Sequence, residues 1–354
     1  MEVSTLLDFE YGKITCRIIK FLVLLNHMTN NNISPSKIEV MDYIGRDVES
    51  LAKEYLKPVE TNWQASELLP LTSDATFVAD LKSIQEDARS HSYDLMVVLV
   101  ADTITEEALP TYESWLAGLV GVDQQNNNGW MKWMRSWAAE ENRHGDVLNR
   151  YLYLCGRINM KAFEASTQYL IADGFNNQAG NDPYRNFVYT SFQELATNVS
   201  HRRVATLAKK DGNTLLSKIC GLVSADEARH ARAYMNFVNR IMELDPNEMV
   251  LAFEDMMRKK IVMPAQCMRE LNGTLTTFAN FSDAATRLGV YTAMDYIEIM
   301  KTCLQEWKIE NVRGLQENGE KARDFLMGLP DRLTRIAERA AMPKVEHKFD
   351  WILT

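Results

Sequence analysis

The chain has 354 residues, of which 46% are hydrophobic and 25% are charged, so it is too apolar for a disordered polypeptide and long enough for a large core. Its formal net charge of −9 argues against nucleic acid as the main partner, because no excess of lysine and arginine is available to neutralise phosphates. Only 16 glycines and nine prolines interrupt the chain, and abundant helix-forming residues predict an all-α fold.

The five cysteines are scattered and contain no Cys-x-x-Cys pair, which disfavours a zinc ribbon, a protein-bound iron–sulfur cluster and a disulfide framework. Any electrons that the protein uses must therefore come from an external donor. The longest apolar run near the start, residues 18–25, is too short to span a bilayer, so we expect no membrane insertion. We expect a cytoplasmic protein, or one of the plastid stroma if the source is a plant or an alga.

Helical periodicity organises most of the chain. We assign residues 1–40 to a poorly specified leader and residues 41–354 to a single domain. Successive helices are predicted over about 75–90, 94–118, 130–154, 161–171, 184–210 and 214–244, with loops at 121–129 and 173–183. Pro110 should kink the second helix within a turn. Residues 246–342 are expected to form further helices around the bundle.

Two copies of the pattern Glu-x-x-His lie on predicted helices. They are Glu141-Asn-Arg-His144 and Glu227-Ala-Arg-His230. Positions i and i+3 of a helix share one face, so each glutamate and its histidine point toward a common place. A helix with another glutamate precedes each copy: it carries Glu106 and Glu107 in the first half and Glu194 in the second. Two such glutamates with two Glu-x-x-His motifs are the ligand set of four-helix di-iron proteins.

Charge balance supports a pair of metal ions. Four ionised carboxylates in a bundle core would be strongly unfavourable without a partner, whereas two Fe²⁺ ions neutralise them while the histidines bind as neutral imidazoles. Mixed carboxylate and imidazole ligands suit iron or manganese. A single Glu-x-x-His is more often a solvated face or a salt bridge, but the second copy on a matched helix argues against that reading.

Three neighbouring residues are candidates for supporting roles. Asp226 could orient the His144 imidazole by accepting a hydrogen bond from its outer nitrogen, or it could form an ordinary salt bridge with an arginine. Trp137 lies one turn before Glu141, nearer the surface, and could connect the centre to a docked electron donor or simply pack in the core. His201 is expected in a second layer around the metals or at the surface.

The chain resembles the soluble acyl-acyl carrier protein desaturases. The segments that carry the resemblance are 57–63, 97–112, 139–146, 189–194, 225–230, 250–261 and 287–293, and about residues 45–342 are covered. The resemblance implies a ferritin-like four-helix bundle core with additional helices. It also implies a homodimeric di-iron enzyme that introduces a cis double bond into a saturated acyl chain on acyl carrier protein, using O2 and two electrons from reduced ferredoxin.

The resemblance also implies roles for particular residues. It selects Glu106 rather than Glu107 as the first metal ligand. The implied set for two Fe ions per chain is Glu106, Glu141, His144, Glu194, Glu227 and His230. Thr197 corresponds to a threonine on the dioxygen side of the family's centre, and Thr105 precedes the first ligand as it does there.

Two features concern the acyl substrate. Arg258-Lys259-Lys260 is the densest basic cluster in the matched segments and our preferred contact for acidic acyl carrier protein, although each of the three could instead belong to a solvated helix end. Trp115 stands where the family has a smaller residue on the helix that lines the acyl cavity. The acyl tunnel is therefore expected to be shorter or redirected.

Other functions fit the ligands less well. A ribonucleotide reductase small subunit would need a radical tyrosine about one turn after the first histidine, where this chain has Leu148. A related di-iron acyl hydroxylase or monooxygenase stays open, because oxygen insertion and desaturation diverge after the same hydrogen abstraction. A non-catalytic ferritin-like metal-binding protein is a further alternative.

Overall fold

The computed structural model describes residues 35–274, 276–344 and 346–353, and over these ranges the fold is all-α, as predicted. The helices are α1 (Pro35–Gly45), α2 (Val48–Tyr55), α3 (Phe77–Ser90), α4 (Tyr93–Glu107), α5 (Leu109–Ala117), α6 (Gly129–Cys155), α7 (Met160–Asp173), α8 (Pro183–Lys210), α9 (Thr214–Leu244), α10 (Pro246–Lys259), α11 (Thr277–Leu288), α12 (Ala293–Glu306) and α13 (Glu317–Ala337). β-Structure in the described ranges is limited to one isolated bridge, between Ile158 and Ile352.

The leader predicted over residues 1–40 lies mostly outside the described residues. Residues 35–40 belong to α1, and the boundary between leader and domain stays a prediction. Within the described ranges, no helix combines the length and the apolar composition that crossing a bilayer would require.

Four helices, α4, α6, α8 and α9, form the central bundle, and the others pack around it. The long helices α8 and α9 are joined by a short turn and lie against each other along most of their length. Helix α4 is buried on every face over residues 95–101, which explains why this segment is a continuous apolar run rather than an amphipathic one. The core therefore surrounds the middle of the four helices.

The predicted break near Pro110 separates α4 from α5. Helix α4 ends at Glu107, and Pro110 lies in the first turn of α5. Proline has no N–H to donate to the carbonyl four residues earlier, so the helix cannot continue unchanged. The Tyr112 hydroxyl donates to the Thr105 carbonyl at 2.9 Å and satisfies one backbone acceptor at the break. The other predicted helices are present with ends within two residues of those expected.

Side-chain caps fix where the bundle helices begin. The Asn128 side chain accepts from the Met131 N–H at the start of α6, and the Asp182 and Asn213 side chains cap α8 and α9 in the same way. Helix α6 ends at Cys155, and the next residue, Gly156, has φ 71° and adopts the left-handed conformation favoured by glycine. These caps set the register of the residues at the middle of each helix.

Helices α1 and α2, which periodicity did not predict, pack beside the start of α6. The close approach uses two glycines, because a Cβ atom at Gly129 would lie 2.1 Å from the Gly45 carbonyl oxygen. Trp130 continues the contact by donating from Nε1 to the Met41 carbonyl at 2.9 Å.

We predict that Gly129→Ala destabilises the protein by about 2–3 kcal/mol, since α6 must move away from α1 to admit the methyl group. Gly221→Ala is the matched control: Gly221 lies on an exposed part of α9 with no atom within 4 Å of an added Cβ, so alanine should stabilise the helix by roughly 0.5–1 kcal/mol. Thermal unfolding of the two variants checks both signs. Equal midpoints for them would contradict the close packing of α1 on α6.

Candidate metal centre

The six residues predicted as metal ligands lie at one level of the central bundle. Glu106 comes from the end of α4, whereas the other five lie in the middle of α6, α8 and α9. Each of the six residues is at most 8% exposed. The helix caps and the two Glu-x-x-His spacings therefore bring together side chains that are far apart in the sequence.

The six side chains form two overlapping groups. Glu106, Glu141, His144 and Glu227 offer ligand atoms within 4.8 Å of one another, and so do Glu141, Glu194, Glu227 and His230. Glu141 and Glu227 belong to both groups and lie between them. One carboxylate and one histidine remain at each end. These overlapping groups fit the predicted pair of cations.

The inner nitrogens of both histidines face the carboxylates. His144 Nδ1 lies 3.3 Å from Glu141 Oε2 and 3.1 Å from Glu227 Oε1. His230 Nδ1 lies 2.6 Å from Glu141 Oε1 and 3.5 Å from Glu194 Oε2. The Nδ1 atoms are thus the ones available to bind metal.

The residues present fit a metal pair. Several inner atoms of these residues are buried without a hydrogen-bond partner among the described residues: Glu141 Oε1, His144 Nδ1, Glu194 Oε2, Glu227 Oε1 and His230 Nδ1. The outer His144 Nε2 also has no hydrogen bond, and its nearest carboxylate oxygen is Asp226 Oδ2. Buried polar atoms are normally paired, so a cluster of unpaired ones requires an explanation. Cations explain it, because carboxylate oxygens and imidazole nitrogens are donors that iron and manganese accept.

A second layer of side chains holds the histidines from outside. His144 Nε2 lies 3.5 Å from Asp226 Oδ2, and His230 Nε2 lies 3.1 Å from Glu140 Oε2. Arg229 contacts both carboxylates, Asp226 at 2.5 Å and Glu140 at 2.6 Å. Asp226 therefore lies against both partners considered from the sequence, a histidine and an arginine. Such contacts fix the orientation of an imidazole ligand.

Glu106 has its own outer partner. His201, which is 1% exposed, lies with Nε2 2.9 Å from Glu106 Oε1, so it belongs to the second layer and not to the surface. Glu107 points elsewhere: it approaches Gly145 on α6 and belongs to neither ligand group. The geometry thus distinguishes the two adjacent glutamates.

The two tryptophans near the centre differ in exposure. Trp137 is 4% exposed and donates from Nε1 to Glu194 Oε1 at 3.1 Å, so the expectation that it lies nearer the surface is wrong. Trp63, from the loop before α3, is partly exposed; it donates to Asp226 Oδ2 at 2.9 Å and stacks on the His144 ring. No spacing in the sequence relates Trp63 to the ligands, and only the resemblance included it.

Both threonines line a small cavity of about 20 Å³ beside the ligands. Thr197 Oγ1 donates to Glu227 Oε2 at 2.7 Å, whereas Thr105 Oγ1 donates to the Asp102 carbonyl at 2.8 Å. A larger cavity, of about 300 Å³, shares Thr105, Gln193 and Thr197 with the small one. The larger cavity therefore begins where the ligands end.

Beyond the small cavity, four aromatic rings close the interior. Trp115 lies one turn after Tyr112 on α5, and its ring meets Tyr189 edge-on with centroids 5.6 Å apart. Phe175 contacts Tyr189 and Tyr112 with centroid distances of 5.8 and 6.5 Å. Trp115 Nε1 and the Tyr189 hydroxyl are buried without hydrogen-bond partners among the described residues. We call these four residues the aromatic plug.

The basic cluster at the end of α10 is only partly available to a partner. Arg258 pairs with Glu254 at 2.7 Å, and Lys259 pairs with Asp255 at 2.8 Å. Lys260 is exposed, and its side chain has no ion pair or hydrogen bond among the described residues. A groove lined by the cluster shares Ile261, Gln266 and Tyr296 with the larger cavity, so the cluster lies close to that cavity.

Electrostatics in the metal-free site are dominated by burial and by the close charges. Burial favours a lower pKa for His144 and for His230, but the surrounding carboxylates, Glu141 among them, outweigh it and raise the pKa of both well above the ordinary value. Burial, together with repulsion from Glu227 and Glu141, raises the pKa of Glu194 well above its usual range. Protons therefore occupy the site when no metal does.

The chain is similar to several known proteins. The model of the family described as fatty acid desaturase matches residues 36–353. Stearoyl-[acyl-carrier-protein] 9-desaturase of Simmondsia chinensis is 43% identical over 91% of this chain and 82% of its own length, and the seed-specific chloroplastic enzyme of Brassica napus is 45% identical with the same coverage. Among solved structures, DesA2 of Mycobacterium tuberculosis has a TM-score of 0.47 at 15% identity, covering 81% of this chain and 98% of that one.

The fold and the site together define a four-helix protein with buried carboxylate and histidine groups arranged for a metal site. The chain belongs to the fatty acid desaturase family.

We predict that metal loading releases protons and weakens as the pH falls. The raised pKa of His144 and His230 means that both are protonated in the metal-free site at neutral pH, so a bound cation must displace those protons. Below that pKa, each proton that the metal displaces should lower the apparent affinity for the metal by about tenfold for every unit by which the pH falls. Anaerobic titration with Fe²⁺ or Mn²⁺ in weak buffer, followed with an indicator dye, measures the release.

The matched control for this titration is His347→Gln, which removes a histidine that pairs with Glu270 outside the centre. It should release as many protons as the unaltered protein. A metal titration without proton release would contradict the assignment of the two buried histidines as ligands.

Proposed function

We propose that the chain is an acyl-acyl carrier protein desaturase that introduces a cis double bond into a saturated fatty acyl chain. The observation that carries the proposal is the buried two-metal ligand set beside an apolar cavity of about 300 Å³. In the balanced reaction, two C–H bonds of adjacent methylenes break and one C=C bond forms. The substrate supplies two electrons and two protons. An external donor supplies two further electrons, the solvent supplies two further protons, and O2 becomes two waters.

We propose that the metal is iron, with two ions per chain held by the two overlapping ligand groups. Bound iron would supply the activation of O2 that removal of hydrogen from unactivated methylenes requires. The chain's own contribution is to hold the ligands: Asp226 and Glu140 orient the histidines, and Thr197 holds Glu227. Thr105 and Thr197 also place hydroxyl groups where the substrate cavity meets the centre.

The larger cavity suits an acyl chain. Its lining is mostly apolar and includes Phe278, Phe281 and Ala285 of α11. An extended saturated chain gains hydrophobic stabilisation in such a cavity and requires no polar partner along its length. The chain would enter from the side of α11 and reach Thr105 and Thr197, so that its methylenes lie beside the ligands.

Acyl carrier protein is the proposed carrier of that chain. Lys260 is our preferred contact because its side chain is exposed, has no partner among the described residues and lies near the larger cavity. Arg258 and Lys259 can contribute only by leaving their carboxylate partners.

The homodimer implied by the resemblance stays a prediction. For a plant or algal source we propose the plastid stroma, since the relatives' names describe them as chloroplastic.

The decisive experiment is product analysis. Iron-loaded protein is incubated with saturated acyl-acyl carrier proteins of several lengths, reduced ferredoxin and O2, and the chains are examined by mass spectrometry. We expect a loss of two mass units in one chain class. Glu141→Ala removes a carboxylate common to both ligand groups and should abolish both the two-metal stoichiometry and the product. A gain of one oxygen would identify a hydroxylase instead, and metal binding without turnover would identify a ferritin-like binding protein.

We predict that Trp115 limits the length of chain beyond the double bond. The aromatic plug closes the interior past the small cavity, so a smaller side chain should open space for additional methylenes. Trp115→Leu should shift the preferred substrate toward longer chains. The kcat/KM for a longer chain, divided by the kcat/KM for a shorter one, should rise about tenfold. The same panel of acyl-acyl carrier proteins measures it.

Tyr153→Leu is the matched control, because Tyr153 is an aromatic residue on α6 that is 69% exposed. Its chain-length profile should equal that of the unaltered protein. If Trp115→Leu also kept that profile, the end of the acyl site would lie elsewhere.

A further inference from the structure

The wall of the larger cavity contains a charged side chain. Among the described residues that line this cavity, Asp102 is the only one with a formal charge, and none is a lysine, an arginine or a histidine. Asp102 is half-buried and lies on α4, one turn before the ligand Glu106. Buried charges are normally paired with charges of opposite sign. A lone carboxylate in a cavity that suits an alkyl chain therefore requires an explanation.

Hydrogen bonds hold Asp102 in this position. The Ser200 hydroxyl donates to Asp102 Oδ2 at 2.8 Å, and the Thr105 hydroxyl donates to the Asp102 backbone carbonyl at 2.8 Å. Within the described part of the chain, Asp102 Oδ1 has neither a hydrogen bond nor an ion pair. Ser200 and Thr105 line the larger cavity as well. The protein thus fixes one carboxylate oxygen, and the other can interact with whatever occupies the cavity.

The Asp102 side chain is negatively charged at pH 8. Burial is the largest influence and raises the pKa of Asp102, to which Glu106 adds, whereas His201 and the hydrogen bond from Ser200 lower it; the pKa reaches about 6. His201 does not neutralise this charge by direct contact, because its Nε2 lies against Glu106 Oε1 at 2.9 Å. An occupant of the larger cavity therefore meets a negative charge.

Asp102 lies where the carbonyl end of the proposed substrate would be. It lines the larger cavity but not the small cavity beside the ligands, and it precedes Glu106 by roughly 6 Å along the helix axis. Farther along the same helix, Asp94 pairs with Arg287 of α11 at 2.7 Å, so this direction leads toward α11. A chain that enters from α11 and presents its middle methylenes to Thr197 has its carbonyl end on the Asp102 side.

We propose that Asp102 is a specificity-determining residue that excludes acyl chains ending in a free carboxylate and admits those whose carbonyl end is uncharged, such as thioesters. This inference rests on the proposed function and deepens it. A fatty carboxylate would meet Asp102 as a like charge and would find no cation among the described residues of the lining, so it could enter only after taking up a proton. A thioester has no charge and avoids that cost.

Two charges of opposite sign would then select at different depths. Lys260 lines the groove at the end of α10 and not the larger cavity, so its positive charge is offered outside, to an acidic carrier. Asp102 offers its negative charge inside, to the chain alone. The carrier protein and a free fatty acid are both anions, and the outer charge attracts both. The inner charge distinguishes them, so free fatty acids formed by thioester hydrolysis would not block the site.

The test compares ligands that differ only in the charge of the head group. Dodecanoate, dodecan-1-ol and dodecylamine, each below its micelle concentration, are titrated calorimetrically at pH 8 into the full iron-loaded protein without an electron donor. In the unaltered protein we expect dodecanoate to bind at least about tenfold more weakly than the alcohol, and the amine to bind more tightly than the alcohol. In Asp102→Asn the carboxylate dissociation constant, divided by that of the alcohol, should fall about tenfold, and the amine should lose its advantage.

Three further variants complete the design. Asp102→Leu removes the same charge with a side chain of similar size and should give the same shift, while thermal unfolding shows that both variants are folded. Ser200→Ala removes the hydrogen bond to Oδ2 but keeps the charge, so dodecanoate should still be rejected. Asp80→Asn is the matched control: it removes a charge from an exposed position on α3 that lines neither cavity and should leave all three dissociation constants unchanged.

The pattern across the three head groups decides the outcome. An equal change for all three ligands in Asp102→Asn would show that Asp102 acts only through packing, and it would overturn the inference. Unaltered protein that binds dodecanoate as tightly as the alcohol would overturn it as well. These titrations involve no turnover, so they are independent of the product analysis. Absence of a desaturated product would refute the proposed function, whatever the head-group pattern, and the two failures are thus recognised separately.

Discussion

The burial of four carboxylates and two imidazoles at one level of an apolar bundle is the constraint on which the rest of the structure depends. An ionised carboxylate in such surroundings is stable only if hydrogen bonds or cations replace the water that it has lost. The bundle meets this requirement unevenly. The outer side of most of these side chains is satisfied by protein groups, whereas several inner atoms converge and have no hydrogen-bond partner among the described residues. The predicted metal binding, the orientation of the histidines and the raised pKa values of His144, His230 and Glu194 all follow from that division.

The outer partners show how the ligands are kept in place. The pairs are His144 with Asp226, His230 with Glu140, Glu106 with His201, Glu194 with Trp137, and Glu227 with Thr197. Glu141 differs, because within the described ranges its hydrogen-bonding and ionic contacts are with the two ligand histidines alone. The carboxylates behind the histidines raise the basicity of the imidazoles, and Arg229 neutralises part of their charge. Glu141, at the middle of the centre, is therefore the one of the six without an outer partner among the described residues.

Much of the fold and the ligand set could be predicted from the sequence because both depend on local periodicity. The spacing i, i+3 defines each Glu-x-x-His, and caps such as Asn128 and Asn213 mark helix starts within a residue or two. Contacts between distant segments could not be predicted in that way. Glu140 looks like any charged helical residue until Arg229 and His230 are brought beside it, and nothing in the loop that holds Trp63 signals its contact with Asp226. Periodicity likewise gave no sign of α1 and α2, whose packing depends on a glycine contact with α6.

The arrangement around the centre keeps two tasks of the proposed reaction apart. In the function that we propose, the ligand groups support the oxidation, whereas the larger cavity and the aromatic plug select the methylenes that are presented. The two regions meet at Thr105, Gln193 and Thr197, which line both cavities. A substitution in the aromatic plug can therefore change the position of the acyl chain without removing a ligand.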